Sequence, residues 1–370
     1  MATPPLKEPT AVVGGQRPQV VRHWHIPGTA WLRSSHGLQR VMLITGLVII
    51  VVFVLAALCA QWIAPYGYAQ LQLDPAHPLV NMFPTLAPPS AQHLWGTTIA
   101  GYDVLSRTVW GARTALEVIV IAVVLSSCIG VPLGVISGYV GGPLDRVLVL
   151  ITDALYAFPS LLLAIVVSIV ISGGSSGVVS GILSAAISIT VVFVPQYFRV
   201  TRNETLRVKT EPYVDAARVV GTNPFRIMFG HILANVSQTL PVLVTLNASE
   251  SILTLAGLGF LGFGVQPTAA AEWGYDLSQA MNDATNGVWW TAVCPGVAIV
   301  LVVAGVTLVG ESLNDVLNPL LRTRGGESGA DAQEIAETAA LGEQLTASAG
   351  LVPSGAAHDE PGGDAERGLP

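Results

Sequence analysis

Glu250 is a carboxylate in a costly place: it stands inside an apolar run, with Thr245, Asn247, Ser249 and Ser251 close by. A charged group within an apolar helix faces a hydrated cavity or a partner, because hydrocarbon solvates it poorly. Two readings stay open. Glu250, Asn247 and Ser251 line a pathway and meet a solute or its waters, or they form a hydrogen-bond network that ties helices together. Asp153 lies in another apolar run, and Arg146, two helical turns earlier, is its expected partner. Glu311 reads as a hydrated residue near a helix end.

No constellation suits covalent chemistry. Gly257, Gly259, Gly262 and Gly264 have the look of a phosphate loop, but they lie in an apolar run without a preceding soluble strand. Close helix packing or a broken helix end explains them better. Lysine occurs only at 7 and 209, and Val208 stands where a phosphate-binding loop needs Gly before its Lys. The chain therefore offers no phosphate-binding loop for ATP. His23, His25, His36, His77, His93 and His231 are scattered without ligand spacing. Cys59, Cys128 and Cys294 sit singly in apolar runs, so neither a metal frame nor a disulfide is expected.

The elements that hold these residues are membrane helices. Hydrophobic residues make up 51% of the chain and charged ones 11%, against roughly 25% charged in a soluble protein. Too little charge remains to cover a water-facing surface. Apolar runs predict six spans, at 41–63, 115–138, 147–171, 177–198, 239–263 and 292–311, each long enough for a hydrocarbon core of ~30 Å. Residues 1–40 read as a flexible leader, 64–95 as a Pro-rich outer loop, and 96–320 as the transmembrane domain, with a polar loop at 199–238. The tail 325–370 holds nine acidic residues and one basic one, and it reads as disordered. The net charge of −7 belongs to this tail, so it does not point to nucleic acid.

Lysine and arginine set the orientation. The leader carries five and the 199–238 loop six, whereas 264–291 has none. Both termini and the 199–238 loop are thus expected on the cytoplasmic side. Arg107 and Arg113 blur the bias, and they are expected to snorkel to headgroups or to pair with Asp103 or Glu117. Trp62, Trp110, Trp289 and Trp290 fit an aromatic belt.

The 199–238 loop predicts a helix–Gly–helix elbow. Thr210 and Pro212 open a helix through Asp215, Ala216 and Ala217, Gly221 ends it, and Asn223 with Pro224 starts the next. Two successive alanines leave one helix face nearly bare, which lets another backbone approach.

Asp215-Ala216-Ala217, then Gly221, then Ile232-Leu233, resembles the Glu-Ala-Ala loop of ABC importer permeases. Asp215 replaces the usual Glu, and Ala234 stands where Pro is common. Gly96-Thr97-Thr98, Gly101 to Arg107, Gly130 to Gly134, Ser137 to Gly142, Ala157 to Ser160 and Phe260 to Pro267 extend the match over about 95–320. They are similar to the second permease subunit of the dipeptide, oligopeptide and nickel subfamily. The resemblance implies an all-α, six-span fold of the type I importer class in the cell membrane. It also implies a homologous permease subunit, two ATP-binding subunits that bring ATP and Mg, and an extracytoplasmic peptide-binding protein. The elbow residues would couple to the ATPase, and the chain itself would carry no cofactor. Nickel or another solute is the alternative cargo. An ion-coupled secondary transporter is a remoter alternative, and it would leave the elbow unexplained.

Overall fold

The computed structural model describes residues 38–73, 82–172 and 178–317. The expectations for the leader up to residue 37 and for the acidic tail lie outside these residues. In chain order the helices are α1 (Leu38–Leu58), α2 (Ala60–Ile63), α3 (Val104–Val140), α4 (Gly142–Tyr156), α5 (Ser160–Ser172) and α6 (Val178–Val208). Then come α7 (Pro212–Val219), α8 (Pro224–Arg226), a π-helical stretch (Ile227–Ile232), α9 (Leu233–Val236), α10 (Leu240–Phe260), α11 (Trp273–Thr285) and α12 (Trp290–Leu317). Extended pairing among the described residues is limited to two isolated bridges, Gln72 with Met82 and Thr97 with Asp103.

Five described helices are long and apolar enough to cross a membrane, and the count rises to six if the bent pair α4–α5 is one span. That pair occupies the run 147–171, where an unbroken helix was expected. It turns by 98° instead. The cause is local: Pro159 lacks an N–H and disfavours helical backbone at Phe158 before it. The apolar run continues across the break, which hides it from a hydropathy reading.

α3 and α6 form the centre of the bundle. Gly130, Gly134 and Gly138, one per turn of α3, press against α6, where a Cβ on Gly134 would lie 2.7 Å from the Phe198 carbonyl oxygen. Small residues at this spacing let two helix backbones touch, which is how helices associate where lipid gives no hydrophobic drive. Val118, Ala122, Ala186, Ile189 and Tyr197 fill the seam. α1 lies on α12, and α12 also packs on α10 and α11. Val48, Leu150, Val170 and Val300 point outward and are exposed, as expected where lipid is the solvent.

At the Val104 end of α3 a polar platform replaces the expected loop 264–291. Glu272 caps α11 by accepting the Gly274 and Tyr275 N–H groups, each at 2.8 Å. Arg107 is buried and donates to Asp276 at 2.7 Å, 169 residues along the chain, instead of reaching lipid or Asp103. Asp103 pairs with His93 at 2.9 Å. Arg113 does pair with Glu117, at 3.0 Å. Burial lifts the Glu272 carboxyl to about 8 and pushes Asp276 up as well, against the pull of Arg107. Asp153 pairs with Arg199 at 2.7 Å, not with Arg146.

Candidate functional site

α6 runs ten residues past its expected end at 198 and delivers the chain to the elbow. Pro212 occupies the first turn of α7 and Asp215 follows within that turn, near the partly positive end of the helix. Two bonds close the helix: the Gly221 N–H donates to the Arg218 carbonyl at 2.9 Å, and the Thr222 N–H donates to the Ala217 carbonyl at 3.0 Å. Gly221 has φ +80°, and a Cβ built there would meet nothing within 4 Å. The requirement for glycine is thus one of backbone conformation and not of space. Asn223 Oδ1 accepts the Phe225 N–H at 2.9 Å, with Pro224 at the start of α8.

The elbow has its own small core of Val208, Val214, Ile227, Ile232 and Val236, against which Tyr139 and Ala217 pack. Two contacts tie it to the end of α3, and a third braces α6, which leads into it, against α4. Lys209 Nζ donates to the Gly138 and Tyr139 carbonyls at 3.1 and 3.2 Å, at the end of α3. Arg202 grips Asp145 of α4 through two bonds, at 2.6 and 2.7 Å. Arg218 pairs with Asp215 at 2.9 Å and sits over the Tyr139 ring at 5.4 Å. The elbow is thus joined to α3 by contact and to α6 by continuity of the chain, and α6 is joined to α4.

The structure sorts the elbow residues singled out in the sequence. Asp215 and Ala216 are exposed; Ala217 turns inward, and Ile232 is fully buried in the elbow core. Leu233 packs on the main core of the bundle. The outward face is therefore Ala216 without Ala217. Sequence reasoning passed over the apolar tip: Val219, Val220 and Phe225, 88%, 84% and 68% exposed, flank Gly221. A run of Val-Val beside Gly in an otherwise charged loop was the available signal.

A second feature lies midway along the bundle. The bend between α4 and α5 opens a cavity of about 240 Å³, walled by Tyr156, Phe158, Leu163, Val192, Phe193, Gln196 and Glu250 among others. Glu250 is the eleventh residue of α10, about 15 Å along its axis at ~1.5 Å per residue. Asn247 and Ser251 lie on another face of α10 and are fully buried; the Ser251 hydroxyl donates to the Asn247 carbonyl at 2.6 Å. The three residues grouped from sequence thus divide, with Glu250 alone at the cavity.

Residues 130–323, which include the elbow and Glu250, match the family described as the binding-protein-dependent transport system inner membrane component. The chain belongs to this family. It is a multi-pass protein of the inner membrane and a permease subunit of an ABC importer, and its kind works together with other transporter subunits. Residues 38–89 match the N-terminal transmembrane domain of oligopeptide transport permease C. The dipeptide transport system permease of Escherichia coli K12 is 41% identical over 285 residues, 75% of this chain and 89% of the relative. That of Alkalihalophilus pseudofirmus is 36% identical over 79% of this chain and 91% of the relative. The di/tripeptide transport system permease of Pseudomonas aeruginosa is 35% identical over 75% and 88%.

Proposed function

We propose that the chain forms, with a homologous permease subunit, the pathway of an ATP-driven importer of dipeptides and short oligopeptides. The permease role follows from the family; the peptide cargo rests on the names of relatives that match over most of their length. In this reading the bent pair α4–α5 counts as one span, which gives six, with both termini on the cytoplasmic side. The excess of Lys and Arg in the leader and in 199–238 supports that orientation. Two ATP-binding subunits supply ATP and Mg, and an extracytoplasmic binding protein delivers the peptide.

The elbow is the coupling element, and one observation carries this assignment. A folded unit with its own core exposes an apolar tip of Val219, Val220 and Phe225 while Lys209 fastens it to the end of α3 and Arg202 braces α6, which leads into it, against α4. Exposed apolar groups on an otherwise polar unit mark a protein contact. Closure of the ATP-binding subunits moves the elbow, and the elbow moves α3, α4 and α6 against α10. Asp215 and Ala216 present a charge and a bare face beside the tip, whereas Ala217, Ile232 and Leu233 serve from inside.

Co-expression with the adjacent transporter subunits and reconstitution in proteoliposomes tests the cargo. ATP-dependent accumulation of a labelled dipeptide is expected, with none of Ni²⁺. Accumulation of Ni²⁺ without peptide would overturn the peptide reading.

A further inference from the structure

We infer that Glu250 and the cavity beneath the α4–α5 bend receive the α-ammonium end of the transported peptide. This deepens the peptide reading above and rests on it.

The geometry carries the assignment in three steps. First, the walls are of mixed chemistry: Phe158, Leu163, Val192 and Phe193 are apolar, whereas Tyr156, Ser160, Gln196 and Glu250 carry polar atoms. A concave site with apolar side chains and convergent polar groups is the build of a small-ligand site. Second, among the described residues Glu250 has no cationic side chain on it. Arg199, which lies 4.3 Å over the ring of the cavity-lining Tyr156, is held by Asp153 at 2.7 Å. A carboxylate halfway along a membrane helix faces a hydrated cavity or a partner; Glu250 lies exposed at the cavity, where its charge is open to a cationic ligand. Third, size limits what enters. A cavity of about 240 Å³ is smaller than the 300–1,000 Å³ of a typical ligand pocket. It takes one end of a dipeptide, and the second permease subunit completes the site.

A free peptide offers one positive group whatever its sequence: the ammonium at its N-terminus. One carboxylate in a cleft without another charged side chain recognises that group without reading side chains. This is the economy required of a pathway that serves many peptides. Atoms of the cavity make no covalent bond to the ligand.

Saturation-transfer NMR on the full complex in nanodiscs, without the binding protein and trapped with vanadate, tests this. The probes are Ala-Ala and N-acetyl-Ala-Ala, so that any preference of the binding protein for the ammonium drops out. For the unaltered complex, Ala-Ala should bind about tenfold tighter than its acetylated form, a difference that one charge-assisted hydrogen bond provides. Glu250→Gln should weaken Ala-Ala about tenfold and leave the acetylated peptide unchanged, and Glu250→Asp should keep part of the preference. Equal binding of both forms by the unaltered complex, or equal weakening of both by Glu250→Gln, would overturn the inference. So would failure of Glu250→Gln to assemble, because a carboxylate that waits for a ligand is not needed for folding. If neither peptide binds the unaltered complex while ATP-dependent uptake of another solute persists, the peptide reading itself has failed.

Discussion

Substitution at Gly221 separates conformation from contact. With φ +80° and open space around the missing Cβ, a side chain here meets no neighbour. Its whole cost is the left-handed backbone, about 1–2 kcal/mol for an ordinary residue. Bulky β-branched residues are the least tolerant of such a backbone and Asn is among the most tolerant. One to two kcal/mol changes a local equilibrium by roughly 5–30-fold, yet it is well under the 5–15 kcal/mol that hold a domain together. Gly221→Val should therefore insert, assemble and bind ATP normally while populating the native elbow far less. ATPase activity stimulated by loaded binding protein, and uptake, should both fall by a factor of about 5 or more. Gly221→Asn should stay within about twofold of the original. Normal stimulation in Gly221→Val, or an Asn variant as impaired as the Val one, would refute the argument that this backbone angle shapes the coupling element.

Other outcomes follow from the packing. Gly134→Val should drive α3 from α6, because even a Cβ would approach the Phe198 carbonyl to 2.7 Å; overpacking costs about 1–3 kcal/mol, and a lower melting temperature in detergent should report it. Ala217→Trp should disrupt the elbow core and expose 199–238 to protease, whereas Ala216→Trp should leave the elbow protease-resistant and lower only the stimulated ATPase. The Glu272 carboxyl, raised from 4.5 to about 8 by burial, keeps a proton in the folded protein that the unfolded chain has released. Its stabilising contribution is complete below pH 4.5 and is lost as pH rises toward 8. Thermal stability should thus decline between about pH 5 and pH 8 more steeply than in Glu272→Gln, and parallel profiles would contradict the assignment.

What the sequence made legible was what repeats or sits close together along the chain. Apolar runs long enough for a membrane placed α1, α3, α6, α10 and α12, and Gly221, Asn223 and Pro224 placed the elbow with its turn chemistry. Pairings between distant residues were not legible. Arg107 meets Asp276 across 169 residues, and no spacing rule reaches that far. Asp153 was matched to Arg146 by proximity, yet residues seven apart stand two turns, about 11 Å, from each other along a helix; Arg199 of α6 arrives from the side. The bend at Phe158 and Pro159 was overlooked because hydropathy does not change there, although the Pro was in view. α11 looks like loop in the sequence because it is too short and polar to span, but Glu272 caps it and Arg107 and Trp273 bury it. Composition alone puts both alanines on the bare outer face; only the packing of Val208 and Val214 shows that Ala217 points inward.

The account depends most on the apolar tip of the elbow meeting the ATP-binding subunit. Replacing Cys59, Cys128 and Cys294 leaves a chain in which one introduced Cys can be followed. In the assembled complex, Phe225→Cys should crosslink to the ATP-binding subunit with a short bifunctional thiol reagent, and the yield should change when ATP and vanadate trap the closed state. Met281→Cys, also exposed but on α11, should give no such product. A crosslink from position 281 and none from position 225 would contradict the account.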